Sequence, residues 1–390
     1  MHRGFRFRLY PTPEQEQQFR QIAGACRFVY NLALEHRENW WRAYKANNAI
    51  LNFAAQSREL TQLRAEVDWL AAVPRVCLER ALRDLDAVFS AFFSGRARHP
   101  THRRKGERET FRYQGRNCRT MKLNTKWSAV RLLGVGWVKF RDTRPIRGVV
   151  KNVTVGLDAL GWHVSFGCEV EHDARPTNLP PVGIDRGVAN TLALSTGELL
   201  SLPAALDVID RRHRRAQRVL ARRVRGSNRR RKALKRCASL AAQRARIRRD
   251  WHHKVSRSIA NRFGTVVMED LKVVNMTASG RGKRGLNRAI LNQGWSSLAT
   301  ILAYKLEAAG GALILVNPAY TSQTCAECGA IDQKSRKSQA AFICQHCGHE
   351  AHADINAAKN ILRRNTPSMR AEGVDFAPGE TRTVNQAVAA

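Results

Sequence analysis

The chain has 390 residues, 43% of them apolar, and its 67 Lys and Arg against 32 Asp and Glu give a formal net charge of +35. This excludes a disordered chain and allows two or three domains around a real hydrophobic core. A charge of that size repels itself without a polyanionic partner, so nucleic acid is the leading partner and an anionic membrane the competitor. The membrane reading is weak, because no run approaches the roughly 20 apolar residues of a spanning helix.

In chain order, Phe5, Phe7 and Leu9 alternate with basic residues and Tyr10, which predicts a strand ended by Pro11. Thr12 reads as a helix N-cap, with Pro13 at the first helical position and Gln15 three residues after the cap. Phe19, Ile22, Ala23, Cys26, Val29 and Tyr30 then fall on one helical face, and helical pattern runs to about residue 94. Residues 96–108 form a basic linker without an apolar run. From Phe111 to Val170 the pattern is strand-like, with Gly134 and Gly136 in a turn between Val130-Arg131-Leu132 and Trp137-Val138-Lys139-Phe140. This region is expected to be a small β-barrel or sandwich that the N-terminal strand completes.

A boundary is expected at 171–181, which ends in Leu179-Pro180-Pro181. Beyond it, strands alternate with helices, which implies an α/β domain. Residues 366–390 are small and polar without a period, and a disordered tail is expected there. The first residues, Met1–Tyr10, lack the apolar core of a signal peptide. Five scattered cysteines (Cys26, Cys77, Cys118, Cys168, Cys237) suggest a reducing, cytoplasmic compartment and no disulfide framework.

Three acids stand at element ends. Val182-Gly183-Ile184-Asp185 is a short apolar strand running into an acid, followed by a second strand at 191–194 and a turn into a third at Leu199. Val266-Val267-Met268-Glu269 repeats the pattern, and Asp354 opens the last clear helix. Hydrolysis of a phosphodiester by two divalent ions about 3.5–4 Å apart needs clustered carboxylates, and acids from two strand ends and one helix can converge in this way. Each acid also has a plainer reading: Asp185 in a solvated turn, Asp354 as a helix N-cap, Glu269 paired with an Arg.

Cys325-Ala-Glu-Cys328 and Cys344-Gln-His-Cys347 are two C-x-x-C pairs 15 residues apart, each followed by a glycine, Gly329 and Gly348. Four thiolates at this spacing suit a closed tetrahedral structural zinc site, with an iron–sulfur or redox pair as the competing reading. His346, His349 and His352 are extra ligand candidates, but with four cysteines available they read better as surface residues. Residues 211–250 carry 18 Lys or Arg and one acid, Asp250. Leu220, Val224, Leu234, Leu240 and Ile247 supply a thin apolar seam, so a helical hairpin with a cationic face for phosphates is expected. Trp40, Trp41, Trp127, Trp137 and Phe111 could stack on bases, but each taken singly reads better as core.

These segments together resemble a known family. GIDRGVANTLALSTGE (183–198), VVMEDL (266–271), Trp295 before YKLEAAGG (304–311), PAYTSQTCAECG (318–329), FICQHCGH (342–349) and ADINAAKNIL (353–362) look like the TnpB, or OrfB, proteins of bacterial insertion sequences. The opening RFRLYPTPEQEQQF (6–19) and RFVYNLAL (27–34) resemble the family's N-terminal segment, so the likeness runs to about residue 364. It implies an α/β multidomain protein: an RNase H-like RuvC nuclease domain (176–320 and 351–365) with an inserted zinc ribbon (321–350), a helical recognition domain (12–108) and a wedge β-barrel (1–11 and 109–175). It implies a guide RNA and target double-stranded DNA cut next to a short flanking motif; the sequence leaves the oligomeric state open, and a monomer with one RNA is the expectation. Carried over position by position, Asp185, Glu269 and Asp354 match the three RuvC acids that hold two catalytic Mg²⁺ ions, and Cys325, Cys328, Cys344 and Cys347 match the ligands of one structural Zn²⁺. The chain departs from the pattern at Ala351-His352-Ala353, where many relatives carry an acid and an Arg, and at Leu133–Gly136, where a Pro-Lys pair is common. The rival readings are an RNA-guided DNA-binding repressor, a strand-transferring transposase or transposition accessory protein, and a zinc-ribbon DNA-binding protein without a guide.

Overall fold

A computed structural model describes residues 2–44, 51–107, 109–171, 177–279, 282–365 and 382–383. The chain divides into two units, Met1–His172 and Asp173–Ala390. The expected tail at 366–390 lies outside the described residues except for Arg382–Thr383.

The first unit begins with strand β1 (His2–Tyr10) and helix α1 (Pro13–Tyr44). The helix starts as its sequence directs. Thr12 Oγ1 accepts from the Gln15 amide at 3.3 Å, and Gln15 Oε1 accepts from the Thr12 amide at 3.1 Å, a reciprocal capping box. Phe19, Ile22, Ala23, Cys26, Val29 and Tyr30 are all buried, so one apolar face faces the core. Helices α2 (Phe53–Glu66), α3 (Asp68–Ala71) and α4 (Arg75–Phe93) follow. Then come β2 (Thr110–Gln114), β3 (Arg119–Lys122), β4 (Trp127–Leu132), β5 (Gly136–Arg141), β6 (Val149–Asp158) and β7 (Gly161–Glu169).

The N-terminal strand joins the later ones. It pairs antiparallel with β7 along most of its length and with β5 at its end, giving the sheet order β2-β6-β7-β1-β5-β4-β3. Phe7, Phe140 and Phe166 meet inside it, with ring centroids 5.1–5.9 Å apart. Not every aromatic expected in the core lies there. Phe111 is 3% exposed, whereas Trp41 and Trp137 are 47% and 42% exposed.

The second unit opens with β8 (Pro181–Asp185), β9 (Leu192–Leu194) and β10 (Leu199–Leu200), an antiparallel meander. Helices α5 (Ala205–Ala221) and α6 (Asn228–Arg262) form the expected hairpin. Its seam is Ala216, Cys237 and Leu240 with Leu220 against them. Two expected seam residues are elsewhere: Val224, in the connection between the helices, is 77% exposed and Leu234 is 57% exposed. Ser227 caps α6, and the Arg230 guanidinium donates back to the carbonyls of Leu220 and Arg223 at 3.0 and 3.1 Å, which closes the turn.

The remaining elements are β11 (Thr265–Glu269), α7 (Val273–Met276), α8 (Arg284–Gln293), α9 (Trp295–Glu307), β12 (Ala312–Val316), a small hairpin β13 (Ala341–Ile343) and β14 (Glu350–His352), α10 (Ala353–Arg363) and β15 (Arg382–Thr383). The central sheet runs β10-β9-β8-β11-β12-β15, with β8, β11 and β12 parallel. Val182, Ile184, Val266 and Met268 pack on one face with Ile259 of α6 and Leu298 and Leu302 of α9. Val267 packs on the other face with Val316 and Ile361 of α10. The strands are covered on both faces, which is why they read as continuous apolar runs. Among the described residues no helix is long and apolar enough to cross a membrane.

Candidate active site

Alternation along the strands decides where the acids point. Gly183 faces α10, so Asp185, two residues on, faces the same way. Val267 faces α10, so Glu269 does too. The parallel register pairs Ile184 with Met268, and one step further Asp185 and Glu269 end their strands side by side. They stand at the carboxyl ends of two parallel neighbours from which the chain departs in opposite directions, β8 toward β9 and β11 toward β12. Open α/β sheets bind ligands at such a point.

Asp354 arrives from α10. The helix can lie close because position 183 has no side chain: a Cβ there would stand 2.1 Å from the Ala358 carbonyl oxygen. One turn before Ala358, Asp354 is buried at 4% exposure. It is not the helix cap. His352 takes that role, its Nδ1 accepting from the Asp354 amide at 3.3 Å, so this histidine has a structural duty where a surface residue was expected.

Other side chains engage the acids. Asp354 Oδ2 accepts from Asn190 Nδ2 at 3.3 Å, and Oδ1 pairs with the Arg336 guanidinium at 3.2 Å. Glu269 Oε1 accepts from the Thr321 hydroxyl, and its backbone carbonyl accepts from the buried Arg186 guanidinium. Burial, followed by the charges of Glu269 and Asp354, pushes the Asp185 carboxyl up to about 7. Burial also raises Glu269, against the Thr321 hydrogen bond and the Arg186, Arg364 and Arg336 charges. The structure therefore brings the three acids into one electrostatic cluster. It does not draw their oxygens as close as the cysteine sulfurs, the one group of three or more such ligands among the described residues whose donor atoms all lie within 4.8 Å of one another. Arg336 and Asn190 both hold Asp354, and Thr321 holds Glu269.

Cys325, Cys328, Cys344 and Cys347 form that compact group. Cys325 and Cys347 sulfurs are 3.8 Å apart, and Cys328 and Cys344 sulfurs 3.7 Å. Four sulfurs at tetrahedral corners about 2.3 Å from a zinc ion would stand about 3.8 Å from each other. Both pairs fold alike. Gly329 and Gly348 take left-handed φ values of 78° and 73°, and their amides donate to the Cys325 and Cys344 carbonyls. Backbone amides of Cys347 and His346 point at the Cys344 sulfur and hold its thiol down to about 6. These four residues could hold a metal ion.

Three family models match: "Helix-turn-helix domain" of the OrfB IS605 group at residues 1–46, "Probable transposase" of the same group at 165–280, and "Cas12f1-like, TNB domain" at 295–361. InsQ of Escherichia coli K12, named for RNA-guided DNA endonuclease activity, is 38% identical over 376 residues, covering 92% of this chain and 91% of its own. The chain belongs to the TnpB family. A second relative of the same functional name, from Streptomyces pristinaespiralis, is 33% identical over 365 residues, covering 92% of this chain and 88% of its own. The fold resembles that in a cryo-EM structure of a Cas12f1–sgRNA–target DNA complex, with a TM-score of 0.61 at 16% identity over 92% of this chain and 84% of that one. The described residues within the first matched segment hold β1 and α1.

Sequence reasoning passed over Arg186, Asn190, Thr321 and Arg336. Arg186 and Asn190 lie inside one of the segments quoted for the resemblance, and Thr321 inside another, just before the first cysteine pair. Arg336 sits between the cysteine pairs among other basic residues, where no spacing marks it.

Proposed function

We propose that this protein is an RNA-guided DNA endonuclease that cleaves target DNA beside a short flanking motif by metal-dependent hydrolysis. The reading that Asp185, Glu269 and Asp354 hold two Mg²⁺ ions at a RuvC-type site rests on one observation. Two acids end neighbouring parallel strands, and a third is delivered against them by a helix seated on a side-chain-free glycine. The sheet order, an antiparallel meander followed by parallel strands, supports an RNase H-like domain. The donor set fits a hard cation, since all three groups offer oxygen and their mutual repulsion is what a divalent charge relieves. When bound, such ions supply an activated water and neutralise the leaving oxygen. The chain's own part is to orient the acids: Thr321 directs one Glu269 oxygen, Asn190 and Arg336 fix Asp354, and Arg186 pins the end of β11. The products would carry 5′-phosphate and 3′-hydroxyl ends.

The cysteine quartet is assigned to one structural Zn²⁺ on its sulfur spacing. Residues 1–11 and 109–175 are assigned as the wedge barrel and 12–108 as the recognition helices, in keeping with the sheet of the first unit and its helices. The cationic α5–α6 hairpin is assigned to phosphate contact, while sequence would be read by pairing between a guide RNA and one DNA strand. The test is to co-express the gene with its native downstream DNA, sequence the RNA that copurifies, and programme cleavage of a plasmid library with randomised flanks. Asp185→Ala should abolish cutting while RNA and DNA binding persist. Undiminished cutting by that variant would refute the site.

A further inference from the structure

Gln293 is the last residue of α8 and is 8% exposed. Both ends of its side-chain amide are engaged. Oε1 accepts from the Thr191 hydroxyl at 2.9 Å, and Nε2 donates to the Val188 carbonyl at 3.0 Å. The residue is itself held from behind. The last carbonyls of a helix have no partner within it, and here α6 supplies them. Arg248 donates to the carbonyls of Leu291 and Asn292 at 3.3 and 3.0 Å, and His252 Nε2 lies 3.0 Å from the Gln293 carbonyl oxygen. Gly294, at φ +68°, then turns the chain straight into α9, where a Cβ would stand 3.1 Å from both Arg248 and His252.

The segment that Gln293 grips is the turn between β8 and β9. The two residues it holds, Val188 and Thr191, flank Asn190, which donates to Asp354. The same turn carries Arg186, which donates to the Glu269 carbonyl, and it is closed by the Gly187 amide on the Thr191 carbonyl at 3.3 Å. Thr191 is 1% exposed and its oxygen also accepts from the Leu202 amide at 3.1 Å. Without the Gln293 amide, the Val188 carbonyl would lose its donor and the buried Thr191 hydroxyl would lose the acceptor for its proton. The turn would then move to recover a partner.

We propose that Gln293 is a positioning residue for the acidic site: it clamps the turn on both sides of Asn190 and so sets the direction from which Asp354 is held. This rests on the assignment of Asp185, Glu269 and Asp354 as holders of divalent ions. Partners that orient metal-binding side chains typically carry about 10–100-fold in metal affinity or activity.

The test uses the full chain with its copurified RNA and measures Mn²⁺ affinity by electron paramagnetic resonance, alongside cleavage rate against Mn²⁺ concentration. The Asp185→Ala complex serves as the baseline for ions held by the RNA. Gln293→Met, similar in length but without the amide, should weaken Mn²⁺ binding about 10-fold while zinc content and bound RNA stay unchanged. Asn190→Ala should do likewise, and the double variant should be no worse than the worse single, because both act through one hydrogen bond to Asp354. Thr191→Ser should keep wild-type affinity and Thr191→Val should lose it, which carries the test if Gln293→Met fails to fold. Wild-type affinity in both Gln293→Met and Thr191→Val, or losses that multiply in the double variant, would overturn the proposal. Mn²⁺ binding untouched by Asp185→Ala would instead sink the reading of the acids, and the proposal with it.

Discussion

Gathering three carboxylates in a buried corner has a measurable cost to the fold, and Asp185→Asn should recover it. In the folded chain the Asp185 carboxyl keeps its proton up to about 7, where its ordinary value is 3.8. The unfolded chain releases that proton near 4, so between the two values the folded state binds more protons and stability falls as pH rises. At about 1.4 kcal/mol per tenfold in proton affinity, the loss is about 2 kcal/mol at pH 5 and about 4 kcal/mol at pH 8. Relaxation around the charge trims both figures. An asparagine has no proton to lose, so Asp185→Asn should be more stable than wild type by about 2–4 kcal/mol at pH 8 and by less at pH 5. In a unit of this size that is roughly 5–10 °C in melting temperature. The assay is thermal unfolding after dialysis into magnesium-free buffer without a strong chelator, so that a thiolate-bound metal is not stripped. Adding Mg²⁺ should raise the wild-type melting temperature and narrow the gap, because the ion stabilises only a cluster with its full negative charge. The reasoning fails if Asp185→Asn melts no higher than wild type at pH 8, or if Mg²⁺ stabilises both chains equally.

Gly183→Ala should destabilise the second unit by about 2 kcal/mol or more and abolish cleavage, since the new methyl would meet the Ala358 carbonyl at 2.1 Å and push α10, with Asp354, off the sheet; melting and cleavage assays read both. Cys344→Ser should lower bound zinc from about one equivalent per chain, measured by a colorimetric zinc assay in denaturant, and should depress cleavage although no cysteine is among the acids. Replacing Arg222, Arg223 and Arg225 with Ala should weaken RNA binding and reduce the slope of log Kd against log salt by about 0.7–0.9 for each phosphate that is no longer neutralised, with little change in the half-maximal Mg²⁺ concentration for cleavage.

What could be read from the residues alone was whatever local chemistry dictates. The Thr12 cap and the apolar face from Phe19 to Tyr30 follow from hydrogen bonding and helical spacing, and both appear in the structure. The paired knuckles follow from the C-x-x-C-G repeat. Apolar strands running into Asp185 and Glu269 are legible because burial on both faces leaves no polar alternation. What escapes depends on meetings between distant segments. Arg336 reaches Asp354 only once the cysteine segment has folded back, and Gln293 meets Thr191 across 102 positions. The hairpin seam fails at Val224 for a different reason. A helical period does not carry through the turn that Gly226 and Ser227 make, and a residue in a turn belongs to no helical face.

The cysteine segment and the acidic corner are mechanically one device, and α10 is the link. Asn356 and Asn360 lie one turn apart on the helix and are both buried. Asn356 accepts from the Ala326 amide at 2.8 Å and donates to the Thr324 carbonyl at 2.7 Å, and Asn360 donates to the carbonyls of Thr321 and Thr324 at 3.1 and 2.6 Å. The helix that delivers Asp354 thus also grips the first knuckle. The cysteine segment reaches back twice, through the Thr321 hydroxyl on Glu269 and the Arg336 guanidinium on Asp354. Four hydrogen bonds from two asparagines would weakly restrain a floppy loop; a metal-closed pair of knuckles presents the same groups as a rigid body. A thiolate-bound ion that touches no substrate would therefore act on the chemistry through geometry alone, by fixing the distance between Thr321 and Arg336 and hence between the two acids they hold.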